Sequence, residues 1–156
     1  MSTRGLVGFQ KKGVKKVTYN HFDSYPSGLG VEVAKFIEGT TTDEILKIFN
    51  EIQLVDDNIP ATQEQIDECK KYANLDVGIG RIDDWYCLLR EAQGTLTPYK
   101  EGLRYMIDGS RYGSTEWEYI INLDTNELEI YSSENGIKSF IPLNMVNEDY
   151  IRDFEF

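Results

Sequence analysis

The chain has 156 residues, of which 40% are hydrophobic, and this fits one folded domain with its own core and excludes an intrinsically disordered chain. No run of residues approaches the ~20 apolar positions of a membrane span, and the N-terminus lacks the apolar region of a signal peptide. The net charge of −11 argues against nucleic acid or a membrane as a partner, because anionic phosphate would be repelled over most of the surface. We therefore expect a cytoplasmic protein.

Charge is distributed unevenly along the chain. The first 20 residues contain five basic residues and no acid, whereas the remainder contains 11 bases against 27 acids and carries −16. The basic residues are Arg4, Lys11, Lys12, Lys15 and Lys16. The four lysines flank Gly13 at a predicted turn, so they are either solvated side chains on an exposed loop or an anion-attracting rim beside a site.

The two cysteines, Cys69 and Cys87, lie on separate predicted helices. Their spacing is not that of a metal site or of a disulfide framework in a small secreted domain. We expect both to be reduced structural thiols, and we expect no metal site and no cofactor.

Residues 4–20 read as a β-hairpin in which "RGLVGFQ" and "VKKVTYN" are joined around Lys12 and Gly13. Residues 29–93 are predicted to be helical. The segment "LGVEVAKFIE" ends at Gly39, and capping-box spacing at residues 41–44 and 62–65 precedes two further helices. The last predicted helix, "DWYCLLREAQ", starts near Asp83 or Asp84 and stops at Gly94. Helix capping explains these two aspartates better than metal ligation does.

From about residue 103, hydrophobic and polar residues alternate with a period of two residues, which is typical of β-strands. The segment "WEYIINL" places Trp117, Tyr119, Ile121 and Leu123 on one face, which we expect to be core. The segment "LEIYS" returns as the second arm of a hairpin, and "IKSFI" ends at Pro142. We therefore predict a single α+β domain, residues 1–156, with an antiparallel sheet formed by the N-terminal hairpin and the C-terminal meander. The central helical segment packs on one face of this sheet.

Four segments, "TRGLVGF", "YNHFDSYPSGLG", "DWYCLLREAQG" and "EYIINLDTNELEIY", resemble the signature of a widespread family of small uncharacterised proteins of bacteria, phages and fungi. The resemblance spans most of the chain except residues about 40–75. It implies no particular reaction.

The N-terminal hairpin also resembles that of N-terminal-nucleophile hydrolases. In that class a nucleophilic Thr, Ser or Cys begins the first strand, and an Asp after the second strand helps to form the site. Here Thr3 precedes the first predicted strand, and Asp23 follows the second. The resemblance implies Thr3 as a nucleophile.

The segment "YNHFDSYPSGLG", residues 19–30, contains the single histidine of the chain and is the candidate site. His21 is a candidate general base with Asp23 as its orienting carboxylate, and the two share a face only if the segment is extended. Ser24, Ser27 or Thr3 would complete a catalytic arrangement as the nucleophile. The candidate ligand-binding residues are Arg4, Asn20, Tyr19 and Tyr25. The alternative is that the segment is a turn and helix cap, for which Asp, Ser, Pro and Gly are the usual residues.

Three functions are open from the sequence. The first is a small-molecule-binding domain that, as an enzyme, would be a hydrolase of an amide, an ester or a phosphodiester. The second is a nonenzymatic accessory protein of the phage type that sequesters a nucleotide signal through Arg4 and the lysines. The third is an acidic inhibitor that covers a basic protein surface.

Overall fold

The computed structural model describes residues 3–113 and 115–156. In chain order the strands are Gly5–Lys11 (β1), Val14–Asn20 (β2), Gln53–Val55 (β3), Tyr105–Ile107 (β4), Trp117–Asn122 (β5), Glu127–Ser132 (β6) and Ile137–Pro142 (β7). The α-helices are Val31–Glu38 (α1), Thr42–Glu51 (α2), Gln63–Cys69 (α3), Trp85–Leu88 (α4), Thr97–Lys100 (α5) and Glu148–Arg152 (α6). A π-helical turn covers Pro26–Gly30, and 3₁₀ turns cover Lys70–Tyr72, Arg90–Ala92 and Leu143–Met145.

The main sheet confirms the predicted α+β class and the union of the N-terminal hairpin with the C-terminal strands. Its strand order is β2-β1-β5-β6-β7. One detail of the prediction was wrong: β1 and β5 run parallel, with Gly5 opposite Trp117 and Gln10 opposite Asn122. The sheet is therefore mixed rather than antiparallel. A parallel pair needs a long crossover connection, and the helical segment between the hairpin and β5 provides one.

The predicted helix starts are confirmed at three caps. Thr62 and Gln65 form a reciprocal capping box, and the Thr41 side chain accepts a hydrogen bond from the Glu44 amide. The Asp84 carboxylate accepts a hydrogen bond from the Cys87 amide, which confirms its capping role. In the described residues, 3–113 and 115–156, no helix is both long and apolar enough to cross a membrane.

The central segment is less helical than predicted. The helix expected over "DWYCLLREAQ" is a single turn, α4, followed by the 3₁₀ turn Arg90–Ala92, and residues 73–84 contain no helix. The sequence prediction also missed β3 and β4, which form a separate two-stranded parallel sheet. Strands of three residues carry too little hydrophobic alternation to be recognised.

The core lies between one face of the main sheet and the helices. The inner face contributes Phe9, Tyr119 and Ile121, all fully buried, and α1 contributes Phe36. Phe9 and Phe36 meet edge to face with ring centroids 5.9 Å apart. The predicted core face of β5 is thus confirmed, although Ile120, on the opposite face, is buried as well.

Both cysteines are free and buried, as predicted. Burial raises the pKa of the Cys69 thiol to about 11. The thiol therefore stays protonated at neutral pH, which disfavours nucleophilic or metal-binding chemistry at Cys69.

Lys16 is a structural residue rather than a solvated lysine. Its ammonium group donates hydrogen bonds to the carbonyl oxygens of Phe49 and Ile52, at 2.6 and 2.7 Å, and lies 4.5 Å from the centre of the Phe49 ring. These carbonyls end α2, where a cation also interacts favourably with the helix dipole. Burial lowers the pKa of Lys16.

The hairpin turn with the other lysines lies far from the candidate site. The register of β1 and β2 pairs Gly5 with Asn20 at one end of the hairpin and Lys11 with Val14 at the other. Six residues of antiparallel strand span roughly 20 Å. The lysines at the turn therefore do not form a rim beside residues 20–30.

We expect Lys16→Met to lower the free energy of unfolding by about 1 to 3 kcal/mol, because two carbonyls at the end of α2 lose their donor. Urea denaturation measures this change. Lys15→Met is the matched control, since Lys15 is exposed, and its effect should stay within about 0.5 kcal/mol. Equal losses in the two variants would contradict the structural role of Lys16.

Candidate functional site

The chain turns sharply after β2 instead of remaining extended. Asp23 has a φ of 52°, in the left-handed region, and its carbonyl accepts a hydrogen bond from the Leu29 amide at 2.9 Å. A β-carbon on Gly28 would lie only 2.1 Å from the Asp23 carbonyl oxygen, so this close approach requires glycine. The extended geometry that would place His21 and Asp23 on one face is therefore absent from this segment.

Ser24 is fully buried and belongs to the fold. Its hydroxyl accepts a hydrogen bond from Asn20 Nδ2 at 2.9 Å, and its carbonyl accepts one from the Tyr119 hydroxyl at 2.8 Å. A β-carbon on Gly5 would lie 2.7 Å from the Ser24 β-carbon. A nucleophile must reach its substrate, whereas this hydroxyl is enclosed between β1 and its own loop.

His21 pairs with Tyr19 rather than with Asp23. The Tyr19 hydroxyl lies 2.7 Å from His21 Nδ1, and the His21 amide donates to Gln93 Oε1 at 3.0 Å. Burial raises the pKa of Tyr19, and the nearby Arg4 guanidinium opposes this shift. The Tyr112 ring stacks on Tyr19 with centroids 4.4 Å apart. These contacts hold the imidazole in a layer of aromatic side chains.

Asp23 has a different partner. Its Oδ1 accepts a hydrogen bond from the Tyr25 hydroxyl at 2.9 Å, and both residues are exposed. Thr3 lies close to this turn, since its carbonyl accepts a hydrogen bond from the Ser24 amide at 3.2 Å. The backbone amide of Arg4 donates to the Glu116 carboxylate at 2.6 Å. The segment thus brings the predicted residues close to one another, but it divides them into separate hydrogen-bonded pairs.

Two concave regions flank the segment. An open cleft of about 450 Å³ lies on one side and is lined by Asn20, Phe22, Asp23, Ser27, Gly28, Leu29, Val31, Glu32, Lys35, Arg90, Gln93 and Gly94. An apolar cavity of about 30 Å³ lies on the other, lined by Thr18, Tyr19, Tyr86, Leu89, Ala92, Gln93, Tyr99, Ile107 and Tyr112. Gln93 lies between the two regions.

Four of the predicted site residues line these regions. Asn20, Asp23 and Ser27 line the cleft, and Tyr19 lines the cavity. The other predicted residues, Thr3, Arg4, His21, Ser24 and Tyr25, line neither. The cleft, which is the larger of the two, is the candidate site.

The cleft is lined by an exposed aromatic ring, that of Phe22, and by a cation without an ion-pair partner among the described residues, Arg90. Phe22 is 51% exposed there. Lys35 pairs with Glu32 on α1, with Nζ and Oε1 3.5 Å apart. Arg90 is half-buried, and within residues 3–113 and 115–156 no hydrogen bond or ion pair engages its guanidinium. The sequence prediction missed Phe22 and Arg90, and only the folded chain brings Arg90 to the cleft.

Within the described ranges, no group of three or more His, Cys, Asp or Glu side chains is placed to hold a metal ion. Comparison of the chain with protein-family models, with curated proteins and with solved structures finds no match. The two family resemblances noted in the sequence therefore stay predictions.

The strain at Asp23 can be measured by substitution. We expect Asp23→Ala to be about 1 kcal/mol less stable than Asp23→Gly, because alanine has no side-chain compensation for a left-handed backbone. Asp23→Asn should stay close to the wild type, since asparagine tolerates this conformation. Urea denaturation of the three variants gives the comparison. Equal stability of the alanine and glycine variants would show that the positive φ costs nothing.

Proposed function

We propose that the protein binds a small anionic molecule in the cleft between residues 20–29 and 90–94. The observation that carries this proposal is Arg90, a half-buried cation that lines the cleft and has no acidic partner among the described residues. A guanidinium offers five donors in a planar fork, which suits a carboxylate or a phosphate. A partly desolvated arginine without a partner is unfavourable, and a bound anion would remove that cost.

Other features of the cleft support the same proposal. A volume of about 450 Å³ lies within the range of small-molecule sites. Phe22 offers an apolar surface to the uncharged part of a ligand. A non-glycine residue with positive φ, Asp23, and a π-helical turn, Pro26–Gly30, both lie in its wall, and both features are common at functional sites.

Hydrolysis of a bound amide, ester or phosphodiester is the narrower form of the proposal. Asp23 is then the base, because its carboxylate is exposed in the cleft, whereas Ser24 is enclosed. The carboxylate would take a proton from water, and the water oxygen would form a bond to the carbonyl carbon or the phosphorus. The bond from that atom to the leaving nitrogen or oxygen would break, and the leaving group would take up the proton from the carboxyl group. The alternative is a binder without turnover, such as a protein that sequesters a nucleotide signal.

A cytoplasmic location is part of the same proposal. Two free cysteines fit a reducing compartment, where thiols are kept from forming disulfides.

Calorimetric titration with acetate, citrate, inorganic phosphate and AMP tests anion binding. We expect at least one of these anions to bind and Arg90→Gln to weaken it about ten- to hundredfold, the effect of losing a hydrogen bond to a charged group. The stability of Arg90→Gln without ligand should be equal to or slightly above that of the wild type, because the substitution removes a partly desolvated charge that has no partner within the described residues. Arg152→Gln, on α6, is the charge-matched control and should bind like the wild type. Failure of all four anions to bind, or wild-type affinity in Arg90→Gln, would refute the proposal.

Turnover of p-nitrophenyl acetate and bis(p-nitrophenyl) phosphate separates the enzyme from the binder. If the protein is a hydrolase, Asp23→Asn should abolish turnover and retain anion binding, since only the base is removed. Release of p-nitrophenolate is the readout. Anion binding by the wild type without turnover of either ester would favour the nonenzymatic binder.

A further inference from the structure

The segment between α3 and α4 exposes aliphatic side chains. Residues 73–84 contain neither helix nor strand, and they present Leu75, Ile79 and Ile82 to solvent with exposed fractions of 48%, 68% and 36%. Ile59, on a neighbouring loop, is 63% exposed. Single exposed aliphatic residues are ordinary, whereas a group of four large ones indicates an interaction surface.

The exposed side chains stand on an ordered backbone. The Asn74 amide donates to the Cys87 carbonyl at 2.9 Å, the Cys87 thiol donates to the Val77 carbonyl at 3.2 Å, and the Gly80 amide donates to the same carbonyl at 3.1 Å. The Asn74 side chain donates to the Glu91 carboxylate at 2.9 Å. This network fixes the segment to α4 and to the turn after it. The exposure of its aliphatic residues is therefore a property of the folded segment.

The four exposed side chains are carried by neighbouring turns, and we call them together the aliphatic patch: Ile59, Leu75, Ile79 and Ile82. The Ala61 amide donates to the Asp83 carbonyl at 2.8 Å, which brings the loop of Ile59 beside Ile82. A β-carbon on Gly80 would lie 3.1 Å from the Leu75 carbonyl oxygen, so Leu75 lies beside the Ile79–Gly80 turn.

The segment that carries Leu75, Ile79 and Ile82 has a net negative charge of its own. Asp76, Asp83 and Asp84 lie within the segment, and its one base, Arg81, is held by both oxygens of Asp83 at 3.1 and 2.8 Å. No free positive charge therefore remains within the segment. The whole chain has a net charge of −11, so the electrostatic potential around the segment is negative as well.

We propose that the aliphatic patch docks a basic protein, one that presents aliphatic or aromatic side chains within a ring of lysines or arginines. Charge complementarity selects this occupant. A second copy of the chain would bring acid against acid, and an anionic membrane would be repelled. An ordered backbone also lowers the entropy lost on docking, because the side chains are already presented in place. The surface is separate from the cleft of Arg90 and does not depend on the function proposed there.

A helical peptide of leucines and lysines, apolar on one face and basic on the other, is the probe for this proposal. We expect it to bind the wild-type protein in fluorescence anisotropy and to bind more weakly as salt rises. Ile79→Ser should weaken binding about tenfold or more, since a buried isoleucine contributes on the order of 1.5 to 3 kcal/mol. Phe140→Ser, on β7, removes an apolar side chain that is 54% exposed and should leave the affinity unchanged. A matched peptide of leucine and glutamate should not bind.

Several outcomes would overturn this proposal. One is failure of the leucine and lysine peptide to bind, and another is equal affinity for the wild type and Ile79→Ser. Binding of phosphatidylcholine vesicles that is lost in Ile79→Ser would assign the aliphatic patch to a membrane instead. A dimer in sedimentation velocity that Ile79→Ser dissociates would assign it to a second copy of the chain.

Discussion

The segment that forms the wall of the cleft is tied to the centre of the sheet by one buried hydrogen bond. Tyr119, in the middle strand of the five, donates its hydroxyl to the Ser24 carbonyl at 2.8 Å. The same ring lies beside Gly30, whose β-carbon would be 3.2 Å from it and 2.9 Å from Ile151 on α6. Sheet, loop and C-terminal helix therefore meet at a single tyrosine. Burial raises its pKa, so the phenol keeps its proton and remains a donor at all ordinary pH values.

Features encoded by neighbouring residues could be predicted from the sequence, and features that depend on distant parts of the chain could not. The hairpin of β1 and β2 and the caps at Thr41, Thr62 and Asp84 each depend on a few adjacent side chains. The direction of β5 against β1 does not, because about 100 residues of connection lie between them. The short strands β3 and β4 exist because they pair with each other, and a three-residue strand has no signal of its own.

The candidate segment combines the two roles that its sequence left open. Ser24, Pro26 and Leu29 are buried and act as architecture, whereas Phe22 and Asp23 face solvent at the cleft. Residues i and i+2 of a turn need not share a face, so the pairing of a histidine with an aspartate two positions away could not be read from spacing alone. The positive φ at Asp23 separates the two side chains, and a left-handed aspartate is not visible in a sequence without its fold.

The acidity of the chain gives its two proposed surfaces opposite requirements. The chain has a net charge of −11, and its electrostatic field repels an anion over most of the surface. A cleft that binds an anion therefore needs local positive charge, which Arg90 supplies. The same field attracts a basic partner to the aliphatic patch without any local cation. Arg90 and Glu91 are adjacent in the chain. The Arg90 side chain lines the cleft, and the Glu91 carboxylate accepts a hydrogen bond from Asn74, in the segment that carries most of the aliphatic patch. A single 3₁₀ turn, Arg90–Ala92, therefore positions part of both surfaces.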